Sequence, residues 1–185
     1  MEQQPKNLRQ RWTPGMVVEI DLMDGTYTYG QVASATSIRF FNVLRKESEN
    51  RPSIEEIMGS PILFEIGVYA SALKDWIRVG KAPIDPDYKR PKRYVIDSET
   101  GEITIWKNEG GTIPGTREDI EGLEKFAVWD SASVEQRLRD HFAGRPNWHV
   151  EIFKTKLGDP FPSIKEFYAK YGYNFHWLDK DDENP

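Results

Sequence analysis

The sequence predicts an α+β protein that is mostly β, with a small curled antiparallel sheet or partly open barrel and two or three short helices packed on it. The first observation is the alternation of apolar residues along 16–22, which is the period of a strand with one buried face. The second is that similar segments follow at 27–32 and 38–43, with only short breaks between them. Three consecutive strands joined by short turns form a meander, and we expect this meander to seed the sheet.

Two glycine positions refine the predicted meander. Asp24-Gly25 joins the first two strands, and this dipeptide favours the positive φ angles of a two-residue primed hairpin turn. Gly30 lies in the middle of the second strand, where a glycine indicates a bulge or a tight bend. Both positions are therefore expected to shape a curled sheet.

Further strands are predicted where apolar residues cluster between turn residues. Residues 62–69 are apolar on both faces, which indicates a buried strand. The segments 94–97 and 102–106 flank a four-residue turn and predict a second hairpin. The remaining expectations are short strands at 76–79, 123–129 and 150–153, and loops at 80–91 and 107–115.

Helix starts are predicted from capping residues. Ser53 and Glu56 fit a capping box for a short helix that ends by residue 60. Asp130 is expected to cap the longest helix, 131–143, in which Glu135 and Arg139 can pair on the outside. The other expectations are a buried stripe of Val134, Leu138 and Phe142, a one-turn helix capped by Thr116 with Asp119, and a helix that begins after Ser163.

The length of 185 residues predicts a single domain. We expect a flexible N-terminal arm over 1–12, a domain over 13–147, and an extension over 148–185 that packs on the same domain and ends in a frayed acidic tail. The absence of cysteine is compatible with a reducing cytoplasm. Residues 1–11 lack the apolar region of a signal peptide, and no apolar run approaches the ~20 residues that span a bilayer. We therefore expect a cytoplasmic protein without membrane contact.

The formal net charge is −5, and the excess of acidic residues lies after residue 100. Sequence-independent binding of nucleic acid requires clustered cations, so an acidic chain is a poor candidate for it. The one basic run, 89–93, is interpreted as a solvated linker.

No residue pattern predicts catalysis. His141, His149 and His176 do not have the spacing of metal ligands. The sequence contains neither a G-x-S-x-G motif nor a cysteine nucleophile. The carboxylates between 118 and 124 favour a solvated acidic face over an acid–base pair. We therefore predict no catalytic residue, no cofactor and no metal.

Two segments carry a family resemblance. The first runs from Pro14-Gly15-Met16 through Asp24-Gly25-Thr26-Tyr27 to Val32. The second runs from Gly122 through Phe126-Ala127-Val128-Trp129-Asp130 to Asn147. They resemble the opening hairpin and the closing part of the immunity protein 26 family, so the resemblance covers about Gly15 to Asn147 and leaves the extension after it uncovered. It implies a mostly β protein of a bacterial polymorphic toxin system, which binds and neutralises a cognate toxin and is not an enzyme.

Two alternatives to this resemblance remain open. A small hydrolase of the phosphotriesterase type would depend on a metal and on His141 or a neighbouring carboxylate. A peptide- or nucleic-acid-binding barrel would present an exposed aromatic groove around Tyr27, Tyr29 and Phe41.

For the leading hypothesis the expected partner is the toxin protein, and no oligomeric state follows from the sequence. Acidic inhibitors suit toxins with basic clefts, because complementary fields speed association. The candidate contact residues are Glu118, Asp119, Glu121, Glu124, Tyr27 and Tyr29.

Overall fold

The computed structural model of the chain describes residues 12–107, 110–155 and 159–172. The predicted N-terminal arm, apart from Trp12, and the predicted acidic tail lie outside the described residues. The strands are β1 (Met16–Asp21), β2 (Thr26–Val32), β3 (Ser37–Phe41), β4 (Arg45–Lys46), β5 (Ile62–Val68), β6 (Ile77–Lys81), β7 (Arg93–Ile96), β8 (Ile103–Trp106), β9 (Thr112–Gly115), β10 (Glu124–Lys125) and β11 (Val128–Trp129). The helices are α1 (Ile54–Met58), α2 (Ser131–Phe142), α3 (Trp148–Lys154) and α4 (Ile164–Ala169), with a 3₁₀ helix at Ala70–Lys74.

The strands form two sheets. The larger sheet has the order β11-β5-β3-β2-β1-β6, and β4 also pairs with β2. The smaller sheet has the order β10-β7-β8-β9. Pairing is antiparallel except for β11 with β5 and β10 with β7, which are parallel. The predicted α+β class, with more strand than helix, is confirmed, and neither sheet closes within the part of the chain that the structure describes.

The predicted meander is confirmed as β1, β2 and β3, but its environment differs from the prediction. The cross-strand pairs place Val18, Gly30 and Phe40 on one face of the larger sheet, where Val18 and Phe40 are buried. The opposite face was expected to meet solvent and is also buried. Helix α1 covers part of it, because its Ile57 packs with Val17 in the same cluster of buried residues.

The turn between β1 and β2 also differs from the prediction. Asp21 pairs with Tyr27, and the Leu22 N–H donates to the Thr26 carbonyl at 3.0 Å, so the loop has three residues instead of two. Its positive φ angles fall at Met23 (59°) and Gly25 (82°). The Asx contacts of Asp21 and Asp24 with the loop backbone hold this longer turn.

The expected bulge at Gly30 is wrong. The register of β2 is continuous through Gly30 against both neighbouring strands. A Cβ at this position would lie 3.0 Å from Ile38 Cγ2 and 3.2 Å from Phe40 Cδ1. The glycine is therefore required by close packing of side chains from β3 and not by a change of register.

The structure confirms several local predictions. The capping boxes at Ser53 and Ser163 are both present, and Asp130 accepts a hydrogen bond from the Ser133 N–H at 2.8 Å. Gly144 adopts a φ of 65° just after α2. The strand at 62–69 and the second hairpin are confirmed as β5 and as β7 with β8.

Other local predictions are wrong, because strand pairing overrides the local sequence pattern. The expected strand at 123–129 is divided into β10 and β11, which belong to different sheets. The expected loop at 107–115 contains edge strand β9, where Pro114 is tolerated since one side of the strand has no partner. Gly80 and Lys81, placed in a loop, continue β6 beyond the strand predicted at 76–79.

One strand prediction and two predictions about helices also need correction. Residues 148–154 form α3 instead of a strand, because Asn147 caps the first turn by accepting from the Val150 N–H. Thr116 and Asp119 exchange capping hydrogen bonds, yet the segment after them is a turn and not a helix. Glu135 and Arg139 are half-buried and bond elsewhere, Glu135 with the Trp76 indole N–H and Arg139 with the Leu22 carbonyl.

The chain divides into two compact units, residues 1–139 and 140–185. In the second unit, the Tyr168 hydroxyl donates to Asp140 at 2.5 Å and the Asn147 side-chain amide donates to Asp140 at 2.9 Å. Phe167 and Tyr168 of α4 form its small core, with Trp148, Phe161 and Ile164 packed against them. The domain boundary predicted at residue 147 stays a prediction.

Candidate functional site

One face of the larger sheet carries a row of polar side chains, which we call the polar face: Glu19, Tyr29, Gln31, Arg39 and Glu65. Cross-strand register places Glu19 opposite Tyr29, Gln31 opposite Arg39, and Arg39 opposite Glu65. All five are buried. Buried polar groups are costly unless they are hydrogen-bonded, so this row must be satisfied internally.

Glu19 is the centre of a charged cluster at one end of the polar face. The Tyr29 hydroxyl donates to Glu19 Oε2 at 2.8 Å. Arg51 donates to both carboxylate oxygens, from Nε at 2.9 Å and from Nη2 at 2.8 Å, and Arg45 Nη2 lies 3.3 Å from Oε2. This carboxylate therefore fixes two arginines from the segment after β3 onto the sheet.

The same contacts set the ionisation of the cluster. Burial raises the pKa of Glu19, but the hydrogen bonds from Arg51 and Tyr29 outweigh this effect, so the pKa is lowered from 4.5. Burial, together with the hydrogen bond to the Glu19 carboxylate, raises the pKa of Tyr29 from 10.0 to about 12. The carboxylate is therefore ionised and the phenol is neutral at pH 7.

A surface at the end of the first hairpin adjoins this cluster and shares Arg45 with it, and its other members except Tyr27 are exposed. We call it the hairpin-tip surface: Met23, Asp24, Tyr27, Arg45 and Glu47. Met23 is 78% exposed at a positive φ, a conformation that is uncommon for residues other than glycine. The Arg45 guanidinium stacks on the Tyr27 ring at 4.2 Å from its centroid. A cleft of about 510 Å³, lined in part by Asp24 and Glu47, opens beside these side chains.

Of the two predicted tyrosines, only Tyr27 lies on this surface. Tyr27 is half-buried, whereas Tyr29 is fully buried beneath it in a cluster that also contains Phe41. The aromatic groove around Tyr27, Tyr29 and Phe41 that the alternative of a binding barrel predicts is therefore contradicted, because two of its three rings belong to the core. Tyr29 serves the surface indirectly, since its hydroxyl helps to position the Glu19 carboxylate.

The four predicted acidic residues do not form one uniform face. Glu118, Asp119 and Glu121 are exposed in the turn between β9 and β10. Asp119 accepts hydrogen bonds from the backbone and hydroxyl of Thr116, both at 2.9 Å. Glu124 is half-buried and pairs with both terminal nitrogens of Arg137, at 2.5 and 3.0 Å. Asp119 and Glu124 therefore have structural contacts of their own.

His141 is exposed. Among the described residues, no group of three or more histidine, aspartate and glutamate side chains could hold a metal ion. Within those same residues, none of the helices has the length and apolarity that crossing a membrane requires.

The fold and these features define an α+β scaffold whose first hairpin presents an exposed, internally braced surface. Residues 13–101, which contain the whole hairpin-tip surface, match the model of the immunity protein 26 family. No curated protein and no solved structure matches the chain. The family resemblance is thus confirmed over 13–101, and the resemblance of the second segment, 122–147, stays a prediction.

Sequence reasoning missed the charged cluster because its members are far apart in the chain. Glu19 lies in β1, whereas Arg45 and Arg51 lie 26 and 32 residues later. The available signal was the acidic residue Glu19 between the apolar residues Val18 and Ile20, since a carboxylate at such a position requires a cationic partner if it is buried.

Proposed function

We propose that the protein binds one cognate toxin of a bacterial polymorphic toxin system and neutralises it as a direct complex, without turnover. The observation that carries the proposal is the family match over residues 13–101. An inhibitor of this kind requires a stable scaffold and a complementary surface, both of which can be built without catalytic residues.

The hairpin-tip surface is the first contact region that we propose. It lies wholly within the segment that matches the family model. Met23 offers an exposed apolar side chain, and Tyr27 with Arg45 offers a stacked aromatic and cationic pair. Tyrosine, arginine and methionine are enriched in protein interfaces. The Glu19 cluster holds Arg45 in place, so binding loses less side-chain entropy there.

The acidic turn is the second contact region that we propose. Glu118 and Glu121 are exposed there and have no ion pair within 4 Å among the residues that the structure describes. Exposed carboxylates attract a partner with a basic surface, such as a toxin that acts on a phosphate-bearing substrate. Raising the salt concentration is then expected to slow association more than it speeds dissociation.

The proposal is tested by co-expression with the toxin encoded next to this protein. We expect the wild-type protein to restore growth and to co-purify with the toxin. Met23→Asp should weaken protection, whereas Ile113→Asp, which changes another exposed apolar residue on β9, should not. Cells that stay unprotected, together with no complex at micromolar concentration, would refute the proposal.

The acidic turn is tested separately by charge reversal. Glu118→Lys with Glu121→Lys should slow association, and a matched control, Glu99→Lys with Glu102→Lys, makes the same change in net charge at exposed positions of the second hairpin. Asp119 and Glu124 are left unchanged because their structural contacts would confuse folding with binding, and thermal unfolding checks that loss of the Glu118 contact with Thr116 leaves the double variant folded. Equal association rates for the two double variants would remove the turn from the interface.

A further inference from the structure

A cleft beside the polar face has a buried arginine at its base. The cleft has a volume of about 350 Å³ and lies between the end of α1, the adjoining parts of β3 and β5, and the loop 83–86. Arg39 of β3 lines it and is only 6% exposed. Phe41, Met58 and Ile62 contribute apolar side chains to its walls, and Ser60 and Asp85 contribute polar ones. Apolar walls with a few placed polar or charged groups are typical of small-ligand sites.

The guanidinium of Arg39 is held in one orientation. Its Nε and Nη2 both donate to the Gln31 side-chain oxygen, the former at 2.8 Å. The Gln31 amide nitrogen in turn donates to the Ala82 carbonyl at 2.9 Å. Tyr88 also contributes, because its ring centroid lies 5.1 Å from the guanidinium carbon. The cation is therefore fixed before any ligand arrives.

Arg39 differs from the other arginines that anchor the sheets. Arg45, Arg93 and Arg137 each pair with a carboxylate, at 3.3, 3.3 and 2.5 Å. Arg39 has no carboxylate within 4 Å, and its Nη1 donates no hydrogen bond to any residue that the structure describes. Burial lowers the pKa of Arg39, while the more distant charges of Glu65 and Asp85 raise it. A buried cation without a close counter-ion is unfavourable, so an anion at Nη1 would be stabilised.

We propose that this cleft binds a carboxylate with an apolar body. The carboxylate accepts a hydrogen bond from Arg39 Nη1, and the body packs against Phe41, Met58 and Ile62. Asp85 lines the cleft and is exposed, so its charge disfavours a dianion such as phosphate more strongly than a monoanion. Such a carboxylate can come from a free aliphatic acid or from the C-terminus of a partner chain.

The binding test uses the full-length protein and follows the Arg39 Nε–H resonance by NMR. The probes are hexanoate, hexanol, inorganic phosphate, and the dipeptide N-acetyl-alanyl-leucine as the free acid and as the C-terminal amide. We expect saturable binding of hexanoate and of the free-acid peptide, with no saturation by hexanol, phosphate or the amide. A peptide acid that binds at least ten times more tightly than hexanoate identifies a chain terminus as the ligand. If the peptide acid binds with an affinity similar to or weaker than that of hexanoate, a free aliphatic acid is identified as the ligand.

Two variants and two matched controls locate the site, with thermal stabilisation by the ligand as the readout. Arg39→Gln should weaken binding of hexanoate at least ten-fold. Ile62→Trp fills the cleft and keeps Arg39, and it should also weaken binding of hexanoate at least ten-fold. This variant keeps the test decisive if Arg39→Gln does not fold. Arg78→Gln removes an exposed cation, and Ile77→Trp enlarges an exposed isoleucine of β6. Both control variants should bind hexanoate with an affinity within two-fold of that of the wild type. No saturable binding by wild type, or unchanged affinity in Ile62→Trp, would overturn the proposal.

Discussion

Replacing Tyr29 with phenylalanine removes one hydroxyl group and leaves the buried ring in place. That hydroxyl donates to Glu19 Oε2 at 2.8 Å and accepts from Arg45 Nε at 3.1 Å. A hydrogen bond to a charged group contributes ~1.5–3 kcal/mol, so we expect Tyr29→Phe to lower the free energy of unfolding by about that amount at pH 7. Urea unfolding measures the change, and Tyr69→Phe at an exposed position should change stability by less than ~0.5 kcal/mol.

The same variant makes a prediction about alkaline pH. The pKa of Tyr29 is raised from 10.0 to about 12 in the folded protein. A group whose pKa is raised on folding contributes stability that is complete below its unfolded pKa and is lost as pH rises through its folded pKa. The difference in stability between wild type and Tyr29→Phe should therefore be constant up to pH 10 and shrink between pH 10 and 12. A difference that stays constant to pH 12, or that is zero at pH 7, would refute this account of the cluster.

Three further variants test the scaffold by urea unfolding. Glu19→Gln leaves two arginines without their carboxylate and should cost ~3–5 kcal/mol. Because the pKa of Glu19 is lowered from 4.5, the wild-type contribution is present above pH 4.5 and lost as pH falls, and Glu19→Gln should lack this acid dependence. Leu138 of α2 is fully buried, so Leu138→Ala should cost ~2–5 kcal/mol, and near-zero cost would mean that the helix is peripheral. Gly25→Val places a β-branched residue at a φ of 82° and should cost at least ~1 kcal/mol, whereas equal stability would contradict the observed loop.

Local physics made several elements predictable from the sequence. The capping boxes at Ser53 and Ser163 depend on residues three apart, and both are present. The alternation along β1 predicted a strand correctly. The alternation could not show that the second face of β1 is also buried. That burial depends on packing against α1, which begins more than thirty residues later.

Long-range pairing explains why the strand predicted at 123–129 is divided. Residues 124–129 contain the two short strands β10 and β11. Each of them pairs in parallel with residues at least thirty positions earlier in the chain. Such pairing leaves no local pattern, since a two-residue strand is too short to show alternation. The candidate site was predictable only in part. Tyr27 was predicted, but the charged cluster of Glu19, Arg45 and Arg51 beside it was not, because its members come from distant segments of the chain.

The most direct test of the central claim is a titration of the purified cognate toxin with this protein, in which residual toxin activity is measured at fixed toxin concentration. We expect activity to fall linearly and to reach zero at one equivalent, with both proteins recovered intact from the complex. Full inactivation by a small fraction of an equivalent would mean turnover, and unchanged activity at a molar excess would mean no neutralisation. Either result would contradict the proposed function.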